Sequence, residues 1–227
     1  MRVLELFSGT GSVSKICKER GWEVISLDLK NADININILD WKYKELYPIG
    51  YFDYIHASPP CETFSNLRHC WLGRTIKKHG DKIITKEILK QDIENEGLPI
   101  LNRTLDIIFH FQPDYWTIEN PEGQMKNYMH GIPHYVVDYC MYSDWGYRKR
   151  TYIWTNIEGF EPKLCNKKCG NMIEIQGHNI HKNNCGNAKR LQLARKHKKT
   201  AGVRAGTTLN ERFRIPPNLI NELFKCM

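Results

Sequence analysis

Three short apolar runs in this chain each end abruptly on a polar turn, and that punctuation limits the possible folds more than any other feature. Residues 2–6 break at Phe7-Ser8-Gly9-Thr10-Gly11-Ser12, residues 52–57 at Ser58-Pro59-Pro60-Cys61, and residues 115–118 at Glu119-Asn120-Pro121. Runs this short and this apolar suit strands buried on both faces of a parallel sheet. Segments of helical character lie between them, at 13–20 (closed by Gly21) and at 98–111. Residues 23–27 supply another strand ending at Asp28, and a third strand–helix step is blurred across 32–46. Residues 134–142 and 150–155 alternate and carry β-branched and aromatic side chains, which predicts paired strands around a turn at Asp144-Trp145-Gly146. Strands alternating with helices predict a doubly wound α/β sheet, with its ligand at the carboxyl ends of the strands. The polar turns named above fall at such ends. With 227 residues, there is room for one such domain and a small insert.

The turns carry candidate chemistry. Glycines at 9 and 11, between the first strand and first helix, let backbone approach a ligand, and Asp28 is an acid suited to ribose hydroxyls. A glycine turn plus an acid fits a nucleotide-like cofactor without choosing NAD or S-adenosylmethionine, although two glycines fall short of the dinucleotide fingerprint. Cys61 sits on a turn stiffened by Pro59 and Pro60, where neighbouring cations would favour a thiolate. Glu119 offers a carboxyl group at the end of a later strand. Arg148 and Arg150 open another strand on a shared face.

Composition bounds the setting. No apolar run approaches the length of a membrane span, and the N-terminus lacks the layout of a signal peptide. An intracellular protein with reduced cysteines is expected. The formal net charge is +8, yet residues 163–204 alone hold eleven basic residues against the single acid Glu174. A basic block on a near-neutral body points to a polyanionic partner or to a solvated loop, and charge alone leaves both open. Within it, Cys165, Cys169, His181 and Cys185 match the donor set and spacing of a structural zinc site, with His178 as a spare ligand. A small region with little apolar content needs such a staple.

Taken in order, Phe7-Ser8-Gly9-Thr10-Gly11, Pro60-Cys61, Glu119-Asn120 and Arg148-Lys149-Arg150 resemble the signature blocks of the DNA cytosine-5 methyltransferase family, most of all its compact phage and large-virus members. The resemblance spans roughly residues 1–156. It implies a Rossmann-like S-adenosylmethionine-dependent methyltransferase fold, with Cys61 as nucleophile, Glu119 hydrogen-bonding the base, and Arg148 and Arg150 holding its O2. Phe7, Ser8, Gly9, Thr10, Gly11, Ser12, Asp28 and Pro59 would line the cofactor site. The adenine contact lies with Asp40 or with the neighbouring Asn37-Ile38. The resemblance also implies DNA as substrate, with the target cytosine flipped out, and a monomer as the working form. Methylation of RNA and a silent nucleic-acid-binding module are the rival readings. Three regions are expected: a catalytic part at 1–160, a basic target-recognition insert at 161–199, and a return segment at 200–227. The chain departs from the family at Gly146, where glutamine is usual, at Glu62 beside the nucleophile, and in its last cofactor block, for which Ala201-Gly202 or Gly206-Thr207-Thr208 are the candidates.

Overall fold

The first strand, β1 (Arg2–Leu6), is buried because its alternate side chains serve two cores. Leu4 and Leu6 join one apolar cluster with Ile55, Ala57, Phe111 and Ile118, while Val3 joins a second with Val13, Ile16, Cys17 and Tyr54. The computed structural model describes residues 1–175, 177–187 and 205–227. Lys189, Arg190, Arg195, Lys196, Lys198, Lys199 and Arg204 of the basic block, and Ala201-Gly202, lie outside the described residues.

After β1 come α1 (Ser12–Glu19), β2 (Glu23–Asp28), β3 (Ile34–Asn35), α2 (Tyr43–Leu46) and β4 (Tyr54–Ala57). Then follow α3 (Lys86–Asp92), α4 (Leu98–Phe111), β5 (Tyr115–Pro121), β6 (His134–Asp138) and β7 (Arg150–Thr155). These seven strands form one sheet in the order β3-β2-β1-β4-β5-β7-β6. The pairs from β3 to β5 are parallel, and β7 is antiparallel to both β5 and β6. The predicted doubly wound sheet is therefore present, with an antiparallel edge. Beyond it lie a hairpin of β8 (Met172–Ile175) and β9 (His178–His181), and a parallel pair of β10 (Asn183–Asn187) and β11 (Ala205–Thr207). Helices α5 (Leu209–Phe213) and α6 (Pro217–Leu223) close the chain, and α6 buries Leu219, Ile220 and Leu223 in the cluster that holds α1. Among the described residues, no helix is long and apolar enough to cross a membrane.

Two boundaries differ from the sequence expectation. Strand β5 continues through Glu119, Asn120 and Pro121 because β7 pairs opposite them, at Ile153, Tyr152 and Thr151. The proline is tolerated because it falls at the end of the strand. Strand β6 stops at Asp138, and Tyr139–Met141 forms a single 3-10 turn.

The segment after Cys61 is more ordered than its polar composition suggests. Two 3-10 turns, Asn66–Trp71 and Lys77–His79, precede α3, and a π-helical turn at Ile93–Gly97 runs into α4. Arg68 is buried in an ion pair with Asp92, which His79 also contacts at 3.1 Å. The loop after Cys61 is clamped by two close approaches. A Cβ at Gly97 would fall 2.5 Å from Thr63 Oγ1, and one at Gly123 would fall 2.5 Å from the Phe64 carbonyl oxygen. The Gln124 N–H donates to that same carbonyl at 2.8 Å. Gly123→Ala should therefore displace the 61–64 loop and cost about 1–3 kcal/mol, the usual range for overpacking. Urea denaturation of the variant would show this as a lower midpoint at unchanged slope, and an unchanged midpoint would contradict it.

Candidate active site and metal-ligand cluster

The glycine turn sits where β1 feeds α1. Phe7, Gly9 and Gly11 have φ of 59°, 49° and 64°, so the chain reverses tightly. Space above the glycines is open: a Cβ on Gly11 would meet nothing within 4 Å. Asp28, at the end of β2, accepts from the Gly9 N–H at 2.9 Å and the Leu29 N–H at 2.6 Å, which fixes its carboxylate beside the turn. Ser12 Oγ contacts Thr10 Oγ1 at 2.9 Å and accepts from the Ile215 N–H at 3.1 Å, bringing the C-terminal segment to the turn. Asp40 is exposed in the turn after β3, while Ile38 is buried beneath it.

Glu5, a residue of β1 that carries no sequence signal of its own, packs against the start of α1. It is 2% exposed and accepts from the backbone N–H groups of Val13 at 3.2 Å and Ser14 at 3.0 Å, and from the Ser14 hydroxyl. These are the amides at the start of α1 that a dinucleotide pyrophosphate would use. Here a buried carboxyl group takes those amides and caps the helix.

The chemistry lies one and two strands away. Cys61 follows β4 and Glu119 ends β5, its parallel neighbour. The two turns are tied directly, because Asn120 Nδ2 donates to the Pro59 carbonyl at 2.8 Å. Below them, buried His56 contacts Ser58 Oγ at 2.9 Å and Thr117 Oγ1 at 2.7 Å. Burial drops the His56 pKa to about 4, so the ring is a neutral strut at physiological pH. Glu119 is 4% exposed, and its Oε1 accepts from the Tyr139 hydroxyl at 2.7 Å and from Lys149 Nζ at 3.2 Å. Burial pushes the Cys61 thiol up; Lys149 pulls it down, and Glu119 and Glu62 push it further up.

The cation beside Glu119 is Lys149, whereas Arg148 and Arg150, expected to hold the base's O2, turn to Asp138. Arg150 on β7 and Arg148 just before it do turn the same way, but toward Asp138: Arg148 Nε donates to Asp138 Oδ1 at 2.9 Å, and Arg150 Nη2 to Oδ2 at 2.9 Å. The register explains the difference. Glu119 pairs with Ile153, so strand alternation turns Ile153, Thr151 and Lys149 to its side and sends the even-numbered residues to the other. Sequence inspection names both sets but cannot phase them without the partner strand.

The metal-ligand expectation is corrected. The ligand atoms of Cys140, Cys165, Cys169 and His181 all lie within 4.8 Å of one another, a set that could hold a metal ion. Cys185 is not among them. It is half-buried on β10, where its thiol feels Lys149 and Arg212. The replacement ligand, Cys140, lies outside the insert, in the turn after β6, and no local spacing pointed to it. Gly146 is explained as well. With φ of 80° and Asn183 Nδ2 at 2.6 Å from where a Cβ would lie, it leaves no room for glutamine.

If Lys149 sets the Cys61 thiol as described, Lys149→Met should move its alkylation by iodoacetamide to higher pH and slow it several-fold at mildly alkaline pH. Glu62→Gln should move it to lower pH. Mass spectrometry of the Cys61 peptide across a pH series would check both, and coincident profiles would show that neither charge reaches the thiol.

No family model matches the chain. It is 47% identical over 230 residues to the "Probable DNA (cytosine-5)-methyltransferase" of Frog virus 3 (isolate Goorha), an alignment covering 98% of each chain. Among solved structures it is similar to the methyltransferase EhMeth of Entamoeba histolytica (TM-score 0.47, 16% identity, 73% of this chain and 55% of that one). It is likewise similar to a DNMT2 variant of Spodoptera frugiperda (TM-score 0.41, 17% identity, 71% and 53%). The chain thus spans about half the length of these solved chains.

Proposed function

The chain belongs to the DNA (cytosine-5)-methyltransferase family, and on that premise we propose that it methylates carbon 5 of cytosine in DNA, using S-adenosylmethionine and a covalent link from Cys61 to C6. The observation that carries the reading is that Cys61, after β4, and Glu119, near the end of the neighbouring β5, lie close enough for Glu119 and its partner Lys149 to act on the thiol, with Asn120 bonded to Pro59 between them.

Phe7, Gly9, Gly11 and Ser12 of the turn, with Asp28, Asp40 and Pro59, would hold the cofactor. S-adenosylmethionine has hydroxyls for Asp28 and no phosphate to contest the seat that Glu5 fills. When bound, it supplies an electrophilic methyl group on a sulfonium. The protein's task is to make C5 able to take it. The Cys61 thiolate forms a bond to C6, and the displaced electron pair makes C5 nucleophilic. Charge would build at N3, which Glu119, held by Lys149 and Tyr139, would hydrogen-bond and protonate. After methylation, loss of the C5 proton expels the thiolate and restores the aromatic base. Tyr139 fixes the carboxyl from below. Arg148 and Arg150 then act on the shape of the site through Asp138. A stacked base cannot offer C6 to a thiol, so the target is flipped out of the duplex. The basic block supplies phosphate contacts, which bring affinity without sequence choice. One chain carries every residue named, so a monomer suffices, acting inside the cell where its DNA lies.

Labelled S-adenosylmethionine with mixed-sequence duplex DNA containing 5-fluorocytosine, and tRNA in parallel, tests this directly. Fluorine at C5 cannot leave as a proton does, so a covalent complex should accumulate on DNA and map to the Cys61 peptide. Cys61→Ser should form none, and Glu119→Gln should slow transfer to ordinary cytosine by about 10²–10⁴-fold. Trapping on tRNA alone would transfer the reading to RNA, and no trapping without cofactor binding would favour a silent nucleic-acid-binding module.

A further inference from the structure

The cluster formed by Cys140, Cys165, Cys169 and His181 takes no part in methyl transfer, yet it is built with the dimensions of a closed metal site. Cys165 Sγ and Cys169 Sγ are 3.5 Å apart, and His181 Nε2 lies 3.5 Å from the first and 3.4 Å from the second. A tetrahedral zinc ion with bonds of ~2.3 Å to sulfur and ~2.05 Å to nitrogen requires edges of about 3.8 Å between sulfurs and about 3.5 Å from sulfur to nitrogen. The observed edges agree with that, whereas a Cys165–Cys169 disulfide would need sulfurs about 2.05 Å apart. All eight cysteines are free.

The surroundings point the same way. Cys140 and Cys165 are buried, at 3% and 7% exposure, and no apolar function explains three thiols converging on an imidazole. Lys167 has φ of 65°, so the chain folds back between Cys165 and Cys169. Four protein donors, three of them sulfur, leave no place for the oxygen shell that magnesium or calcium demands.

We propose that Cys140, Cys165, Cys169 and His181 bind one structural zinc ion that clamps the insert onto the catalytic sheet. The ligands come from three places: the turn after β6, the 165–169 segment, and the end of β9. Cys140 directly follows Tyr139, whose hydroxyl holds Glu119, and the Cys165 N–H donates to Asp138 at 2.8 Å. The ion therefore fastens the insert to the strand that shapes the active site. Asn171 backs the joint, donating to the carbonyls of Cys140 at 2.9 Å and Ser143 at 2.7 Å.

Metal analysis of the freshly purified full chain tests this without any methyl transfer, so the catalytic reading can fail and leave the result standing. One zinc per chain is expected after desalting, retained in Cys185→Ser and lost in Cys140→Ser. Because Cys140→Ser could fail to fold, His181→Cys serves as the second probe. It keeps four soft donors and should retain one zinc, whereas His181→Ala should lose most of it. Cobalt(II) replacement should give the visible bands of a tetrahedral centre with thiolate charge transfer. Zinc-free protein from zinc-replete cells, stoichiometric iron in place of zinc, or a loss in Cys185→Ser as full as in Cys140→Ser would overturn the proposal.

Discussion

A single carboxylate that water does not reach holds the catalytic sheet, the arginine pair and the insert together. Asp138 is 0% exposed at the end of β6 and receives Arg148, two bonds from Arg150, and the Cys165 N–H. Burial by itself would raise its pKa; the hydrogen bonds from Arg150, Cys165 and Arg148 outweigh that and hold the group below the usual carboxylate range. A buried charge is tolerable only when paired this fully, and breaking such a pair typically costs about 3–5 kcal/mol. The consequence is geometric. With both arginines committed to Asp138, strand alternation leaves Lys149 as the cation facing Glu119.

The next two residues extend the same logic. Tyr139 reaches the Glu119 carboxyl, and Cys140 reaches the metal-ligand cluster. Three consecutive side chains thus address three different parts of the molecule, which is possible because the strand ends at Asp138 and turns through a 3-10 step. The insert answers from its side through Asn171, which accepts from the Gly146 N–H at 3.0 Å, and through Asn183, whose N–H donates to the Gly146 carbonyl at 2.7 Å. Glycine at 146 is the condition for that contact. Any side chain at 146 would have to displace Asn183.

The nucleophile loop is braced on independent sides. Asn120 pins Pro59, His56 supports Ser58, and Gly97 and Gly123 admit Thr63 and Phe64. In the proposed reaction the Cys61 thiol must be held where the ring arrives, and such positioning contributes much of the rate in covalent catalysis. The buried thiol starts out protonated, because burial and two carboxylates outweigh Lys149. Its activation then depends on how charge is rearranged when the base and cofactor fill the site.

Much of this was legible beforehand. The strands and their abrupt ends, the glycine turn, and the positions of Cys61 and Glu119 follow from local punctuation, since glycine and proline act on the backbone at the residues where they occur. The doubly wound sheet followed from the order of those pieces. Tertiary structure decided what depends on phase or distance. Which of Arg148, Lys149 and Arg150 faces Glu119 is set by the register of β7 on β5, and a shift of one residue reverses the answer. That Cys140 and not Cys185 completes the ligand set depends on a turn 25 residues before Cys165 in the chain being folded against it. Glu5 looked like one more residue of a buried strand, and only the packing of α1 made it the cap of that helix. The sequence by itself determined which chemical groups are present and at which strand ends they sit; the fold determined which of them meet, because side-chain direction and long-range contact are properties of the paired strands and packed layers.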